Sequence, residues 1–258
     1  MNKRELKRIF YPLALGILIT NTFSLPAQVI GGSQTKLFDL YLLEKYEDCF
    51  IKAFKMTEAE KTKYDPEPYL YVSMCNLKFA DNAEMAEFYP NALKDAFKYA
   101  GKAVKLVEKA KKKELETLSL EENAEFLNAL ALRGCDEAKF MFVEEKFSKA
   151  LYFFKQVSGL RPDDPAVKLA MGGNNLLNRN LVEGNKMADE GWKGVKEAYG
   201  DGNTTPDDVS REALKVGIMS YAKYLNENGS SSKAKEIAQF GKDLLPEDIQ
   251  MQRFIENL

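Results

Sequence analysis

Small residues recur in this chain in pairs set twelve positions apart: Ala138 with Ala150, Gly172 with Gly184, and Ala222 with Ala234. The second pair follows the first by 34 residues. Twelve residues is the separation that places one position on each of two antiparallel helices joined by a short turn, close to where the backbones approach each other. A bulky side chain at either position pushes the helices apart. In FSKALYFFKQVSGLRPDDP, Phe154 lies one turn beyond Ala150 and is placed to fill the space to the next hairpin, Pro162 ends the helix, and Asp164 caps the one that follows. SKAKEIAQFGKDLLP repeats the pattern with Ala234 and Pro246. A single hairpin cannot bury its apolar face alone, so hairpins of this kind are expected to stack.

The rest of the chain is expected to be helical as well. From residue 34 onward apolar residues recur at three and four, and strand-like alternation is missing. Asp65-Pro66, Tyr89-Pro90, Asp164-Pro165 and Thr205-Pro206 put proline where a helix can begin, its missing N–H being unpaired there in any case. Ser119 with Glu122 and Thr205 with Asp208 add capping pairs. These signals predict helices over 35–44, 46–56, 66–81, 90–112, 119–144, 146–160, 165–179, 181–198, 206–227, 232–244 and 247–257. The predicted class is all-α.

A small residue, an aromatic four positions on, a later proline and a period of 34 resemble the tetratricopeptide repeat. The likeness is best over residues 131–198 and 215–248. Between Gly172 and Ala222 lie 50 residues, one period plus 16, which predicts an insertion near 192–207. Residues 34–113 are a degenerate part: LEKYEDCFIKAF echoes EEKFSKALYFF, with Tyr46 matching Phe147 and Cys49 matching Ala150. Twelve positions before Cys49, however, stands the bulkier Leu37. Residues 66–113 form a further pair, with Ala92, Ala96 and Ala100 on one close-packed face. The resemblance implies one domain over residues 28–258, a superhelix of four to five hairpins with a C-terminal capping helix after Pro246. The arrangement TKLFDLYLLEKYEDCFIKA, YDPEPYLYVSMC and YPNALKDAFKYAGKA is also similar to exported tetratricopeptide proteins of Bacteroidota.

The first residues differ from the rest. A basic MNKRELKR, the apolar run IFYPLALGILITNTF and a small Ala27 have the three-part pattern of a secretory signal peptide over residues 1–27. Asn21 and Pro26 interrupt the roughly 20 apolar residues that a membrane span needs. No cysteine follows within reach of a cut, so a lipoprotein anchor is not expected. The expected location is the periplasm, with membrane contact only through an uncleaved signal segment. Without residues 1–27 the chain carries 33 basic and 38 acidic residues, a net charge of −5 with no basic block, which argues against nucleic acid.

Histidine is absent, and with it Ser-His and Cys-His nucleophile pairs and histidine metal sites. Cys49, Cys75 and Cys135 contain no C-x-x-C and read as small buried apolar residues, although Cys49 and Cys75 lie on helices whose packing permits a bridge. Asp201, Asn203, Thr205 and Glu212 stand at calcium-loop positions, but Pro206 replaces the glycine that such a loop needs, so a capped loop is expected. No cofactor, metal or small-molecule substrate is implied.

MGGNNLLNRN is the most unusual segment. Asn174, Asn175 and Asn178 lie on a first helix of the repeat, and amides both donate and accept, which suits the backbone of an extended peptide. Lys139, Lys223 and Asn226 are placed to join them from neighbouring hairpins and to meet a carboxylate. The expectation is a non-catalytic interaction or scaffold protein that binds a protein or peptide on a concave surface. The alternative is a structural subunit of an envelope or outer-membrane assembly.

Overall fold

The computed structural model describes residues 33–258, so the expected signal peptide lies outside the described residues. Within them are twelve helices and no strand: α1 (Thr35–Leu42), α2 (Tyr46–Glu58), α3 (Pro66–Asp81), α4 (Ala83–Phe88), α5 (Ala92–Lys111), α6 (Ala124–Val143), α7 (Phe147–Ser158), α8 (Pro165–Leu177), α9 (Leu181–Tyr199), α10 (Asp208–Glu227), α11 (Ser231–Leu244) and α12 (Ile249–Glu256). The short α4 was not anticipated. Asp-Pro marks helix starts correctly: Asp65 accepts from the Glu67 N–H at 3.0 Å and Asp164 from the Ala166 N–H at 2.9 Å. Elsewhere the start moves inward. Ser119 accepts from the Glu122 N–H at 3.1 Å, yet turns occupy the chain up to Asn123, and α10 is capped by Asp207 rather than Thr205, through the Ser210 N–H at 2.8 Å.

Four hairpin turns are built alike. Glu44, Glu145, Arg179 and Gly229 each take a positive φ, of 57°, 54°, 63° and 79°. The next residue then donates its N–H five positions back, from Lys45 to Leu40, Lys146 to Met141, Asn180 to Asn175 and Ser230 to Leu225. This is the Schellman closure, which satisfies carbonyls left over at a helix end. The left-handed residues are separated by 101, 34 and 50 positions, the same intervals that separate the small residues. A left-handed backbone costs a side-chain-bearing residue roughly 1–2 kcal/mol. Arg179→Gly is therefore expected to stabilise the fold by about 1 kcal/mol, and Gly229→Ala to destabilise it by a similar amount. Urea unfolding of both variants checks this, and no gain for Arg179→Gly would contradict it.

Within α8 and α9 the register is set by glycine. A Cβ on Gly172 would lie 2.3 Å from the Ala188 nitrogen, one on Gly191 2.5 Å from the Leu169 nitrogen, and one on Gly184 2.8 Å from Leu176. Gly172 and Gly184 thus sit in one seam, but each opposes a residue one turn away from the other. The residues beyond one period, expected as an insertion near 192–207, fall on the end of α9 and in the loop that follows it. Trp192, Val195 and Tyr199 are buried on a lengthened α9, and only 200–207 is loop.

Two helices are enclosed almost all round. In the first half α3 packs against α2 and α5, where the Ser73 hydroxyl donates to the Ala96 carbonyl at 2.7 Å. In the second half α8 packs against α7, α9 and α10. Ala138, Ala150, Phe154, Ala222 and Ala234 are fully buried, as the spacing requires. The halves meet at Gly134 of α6, where a Cβ would lie 2.6 Å from the Phe97 ring of α5. After Pro246, α12 lies on α11 and α10, with Met251 buried. All three cysteines are buried free thiols, and Cys49 Sγ donates to the Leu37 carbonyl at 3.5 Å, twelve positions back.

Candidate functional site

The asparagines do not form the peptide-facing row expected of them. Asn174 and Asn175 are 0% and 1% exposed, and their amides donate to the carbonyls one turn back, Ala170 at 2.8 Å and Met171 at 3.0 Å. The cause is the glycines beside them, which let other helices close on α8 from two sides. Gly172 admits the backbone of α9, and Gly173 admits Ser220 and Tyr221 of α10. Asn178 is exposed and accepts from the Ser148 hydroxyl of α7 at 2.9 Å.

Lys139, Lys223 and Asn226 are engaged within the chain. Helices α6 and α10 run side by side in the same direction, joined by Lys139 to Glu212 and by Lys223 to Glu145 at 2.7 Å. Asn226 donates to the Leu258 carbonyl at 3.2 Å and accepts from the Ser231 hydroxyl at 2.6 Å. The six residues are therefore split between the interior of α8, the α6–α10 seam and the ends of α8 and α10.

The seam continues inward as a chain of charges. Glu212 also meets Lys215 at 2.6 Å, and Lys215 meets Asp248, the cap of α12, at 2.7 Å. Burial raises the pKa of Glu212, but hydrogen bonds from Lys139 and Lys215 outweigh it and hold the carboxyl below its ordinary value of 4.5. Asp248 is likewise lowered, with burial outweighed by Lys215 and the Met251 N–H. A lowered folded-state pKa gives stability that is present above the ordinary value and lost as pH falls through the folded one. Glu212→Gln is expected to cost about 2 kcal/mol at neutral pH, the scale of charge-assisted hydrogen bonds, and much less near pH 3. Urea unfolding at the two pH values tests this, and an unchanged difference would refute it.

An open groove lies beside the seam, between the end of α3, the outer face of α6 and the start of α10. Its volume is ≈ 610 Å³, with Leu77, Ala129, Leu132 and Val209 as its apolar part. At 100° per residue, Ala129, Leu132, Asp136, Phe140 and Val143 share one face of α6. That face is opposite the buried Ala131, Cys135 and Ala138. Phe140 and Val143 are 57% and 63% exposed, so the apolar stripe runs on past the groove. At its other end the groove shares Lys78 and Asp81 with a second depression of ≈ 520 Å³ between the start of α2 and the end of α3. Arg133 anchors one wall, bonded to Glu137 and 3.6 Å from Asp81.

Sequence reasoning passed over these positions because they belong to no repeat motif. The available signal was the apolar residues of α6 on the face away from its small ones. Among the described residues no group of three acidic or cysteine side chains is placed to hold a metal ion. In the loop considered for calcium, Asp201 accepts from the Asn203 N–H at 3.0 Å, while Glu212 is held by lysines. No described helix is long and apolar enough to cross a membrane. No family model, curated protein or solved structure matches the chain.

Proposed function

We propose that this chain is a non-catalytic interaction protein of the periplasm or cell envelope, which takes a protein or an extended peptide segment along the groove of α3, α6 and α10. It is built of five tetratricopeptide-like hairpins, α1–α2, α3–α5, α6–α7, α8–α9 and α10–α11, stacked as a superhelix and capped by α12. The repeat is supported by one turn geometry at Glu44, Glu145, Arg179 and Gly229, spaced by the intervals that separate the small residues; Glu114, which follows α5, closes in the same way outside that spacing. The export pattern of residues 1–27 supports the location. The observation that carries the binding role is the apolar stripe of α6, in which half-buried Leu132 lines a groove with charged walls and the exposed Phe140 and Val143 continue the same face beyond it.

The test is a photo-crosslinking residue placed at Leu132 and, separately, at the exposed Lys193 of α9, which does not line the groove, each expressed in the native host. Capture of a partner from Leu132 but not from Lys193 is the expected result. A fixed set of membrane proteins captured from Lys193, with nothing from Leu132, would instead make the chain a structural subunit of an envelope assembly.

A further inference from the structure

From the lining of the same groove, and resting on the reading just given, we infer the chemistry of the partner: a cationic amphipathic segment, with lysine or arginine interspersed among aliphatic or aromatic residues. The two connected depressions are lined by eight carboxylates and only three cationic side chains. Several of those carboxylates already have partners, since Asp207 pairs with Arg161, Asp208 with Arg211 and Asp136 with Lys139. Glu44, Asp48 and Glu125 do not: they are exposed and in no ion pair with a described residue, Glu44 and Asp48 in the α2–α3 depression and Glu125 in the adjoining groove. Glu44 is held in place by the positive-φ turn between α1 and α2.

The apolar positions fall between these charges. Tyr46, Phe79 and Met85 lie in the α2–α3 depression, and Leu77, Leu132 and Val209 in the α3–α6–α10 one. An occupant must therefore offer apolar side chains to the floor and positive charge to the walls. An acidic segment would bring like charges to Glu44, Asp48 and Glu125, which costs affinity and selects against it. A purely polar basic segment would leave the floor and the Phe140–Val143 stripe wet, losing the apolar contribution that makes such a groove bind.

The probe is a short fluorescent peptide of alternating lysine and leucine, titrated with the full chain and followed by anisotropy. A glutamate–leucine peptide and a lysine–serine peptide serve as comparisons. Saturable binding of the lysine–leucine peptide is expected, with both comparisons weaker by on the order of tenfold or more. The double variant Glu125→Lys, Asp136→Lys should weaken it by on the order of tenfold, while reversing exposed acids on α9 such as Glu197 should leave it unchanged. Circular dichroism confirms that the variants are folded. Equal binding of all three peptides, or indifference to the groove reversal, overturns the inference. Crosslinking in the host separates it from the proposed function. Capture at Leu132 of an acidic or uncharged segment refutes the cationic partner and leaves the groove reading standing, whereas no capture at Leu132 removes both.

Discussion

Gly172→Val is expected to destabilise the fold by about 3 kcal/mol or more, while Gly101→Ala, also inside a helix, should stabilise it by about 1 kcal/mol. The two glycines differ in what surrounds them. A Cβ at Gly172 would lie 2.3 Å from the nitrogen and 2.6 Å from the Cα of Ala188, whereas one at Gly101 has nothing within 4 Å. Overpacking in a core usually costs 1–3 kcal/mol because neighbouring side chains shift. Here the obstructing atoms are backbone, so α8 and α9 have to separate along the seam that also holds Gly184 and Gly191. Alanine at Gly101 removes only the entropy that glycine loses on folding. Urea unfolding measures both. A cost below about 1 kcal/mol for Gly172→Val would mean that the helices are not as close as Ala188 and Leu169 place them.

That seam shows how far the fold could be read in advance. The spacing of Gly172 and Gly184 located a close helix pair, because only small residues permit such an approach. It did not give the register: Gly172 opposes Ala188, sixteen positions on. Spacing between small residues reports which positions are crowded and leaves open which atoms crowd them. Three of the four left-handed residues in the hairpin turns were invisible for a related reason. Glu44, Glu145 and Arg179 carry side chains where glycine is the usual signal, so only Asn228-Gly229 resembled a helix stop. Pro206 drew the start of α10 too early because the cap fell to Asp207.

The site was harder to read. Amides in MGGNNLLNRN suggest a polar surface, yet the adjacent Gly172, one of the paired small residues, and Gly173 are what bury Asn174 and Asn175. Lys139 and Lys223 are expected to face a ligand because stacked hairpins would put them on the side of the asparagines. Their partners are Glu212 on α10 and Glu145 in the turn after α6, each more than seventy residues away. No periodicity within α6 reveals that α10 lies alongside it. The groove itself was partly legible, since Leu132, Phe140 and Val143 lie opposite the small residues of α6, a face that a helix with one partner would leave polar.

Asp164→Ala is expected to cost about 3 kcal/mol or more, because one side chain closes three separate contacts. Its Oδ1 caps α8 through the Ala166 N–H at 2.9 Å, and its Oδ2 accepts from the Ser210 hydroxyl at 2.8 Å and lies 3.2 Å from Arg161. The carboxylate is 4% exposed, so its removal leaves a helix end, a hydroxyl and part of a guanidinium without their buried acceptor. Loss of a cap alone costs about 1 kcal/mol, and loss of a charge-assisted hydrogen bond about 1.5–3 kcal/mol. Arg161 keeps Asp207 at 2.7 Å and Asn128 at 2.9 Å, which limits the damage at that end. Asp164→Asn should recover the cap and lose the charge, falling between the two. If Asp164→Ala and Asp164→Asn unfold at the same urea concentration, the cap contributes nothing and the effect belongs to the charge. The contact matters beyond α8, because Ser210 and Asp207 begin α10, the helix that lies along α6 and forms one wall of the groove. Weakening Asp164 should therefore loosen that wall as well as the fold, and a lysine–leucine peptide that binds in the groove should bind Asp164→Ala less tightly even under conditions where the variant remains folded.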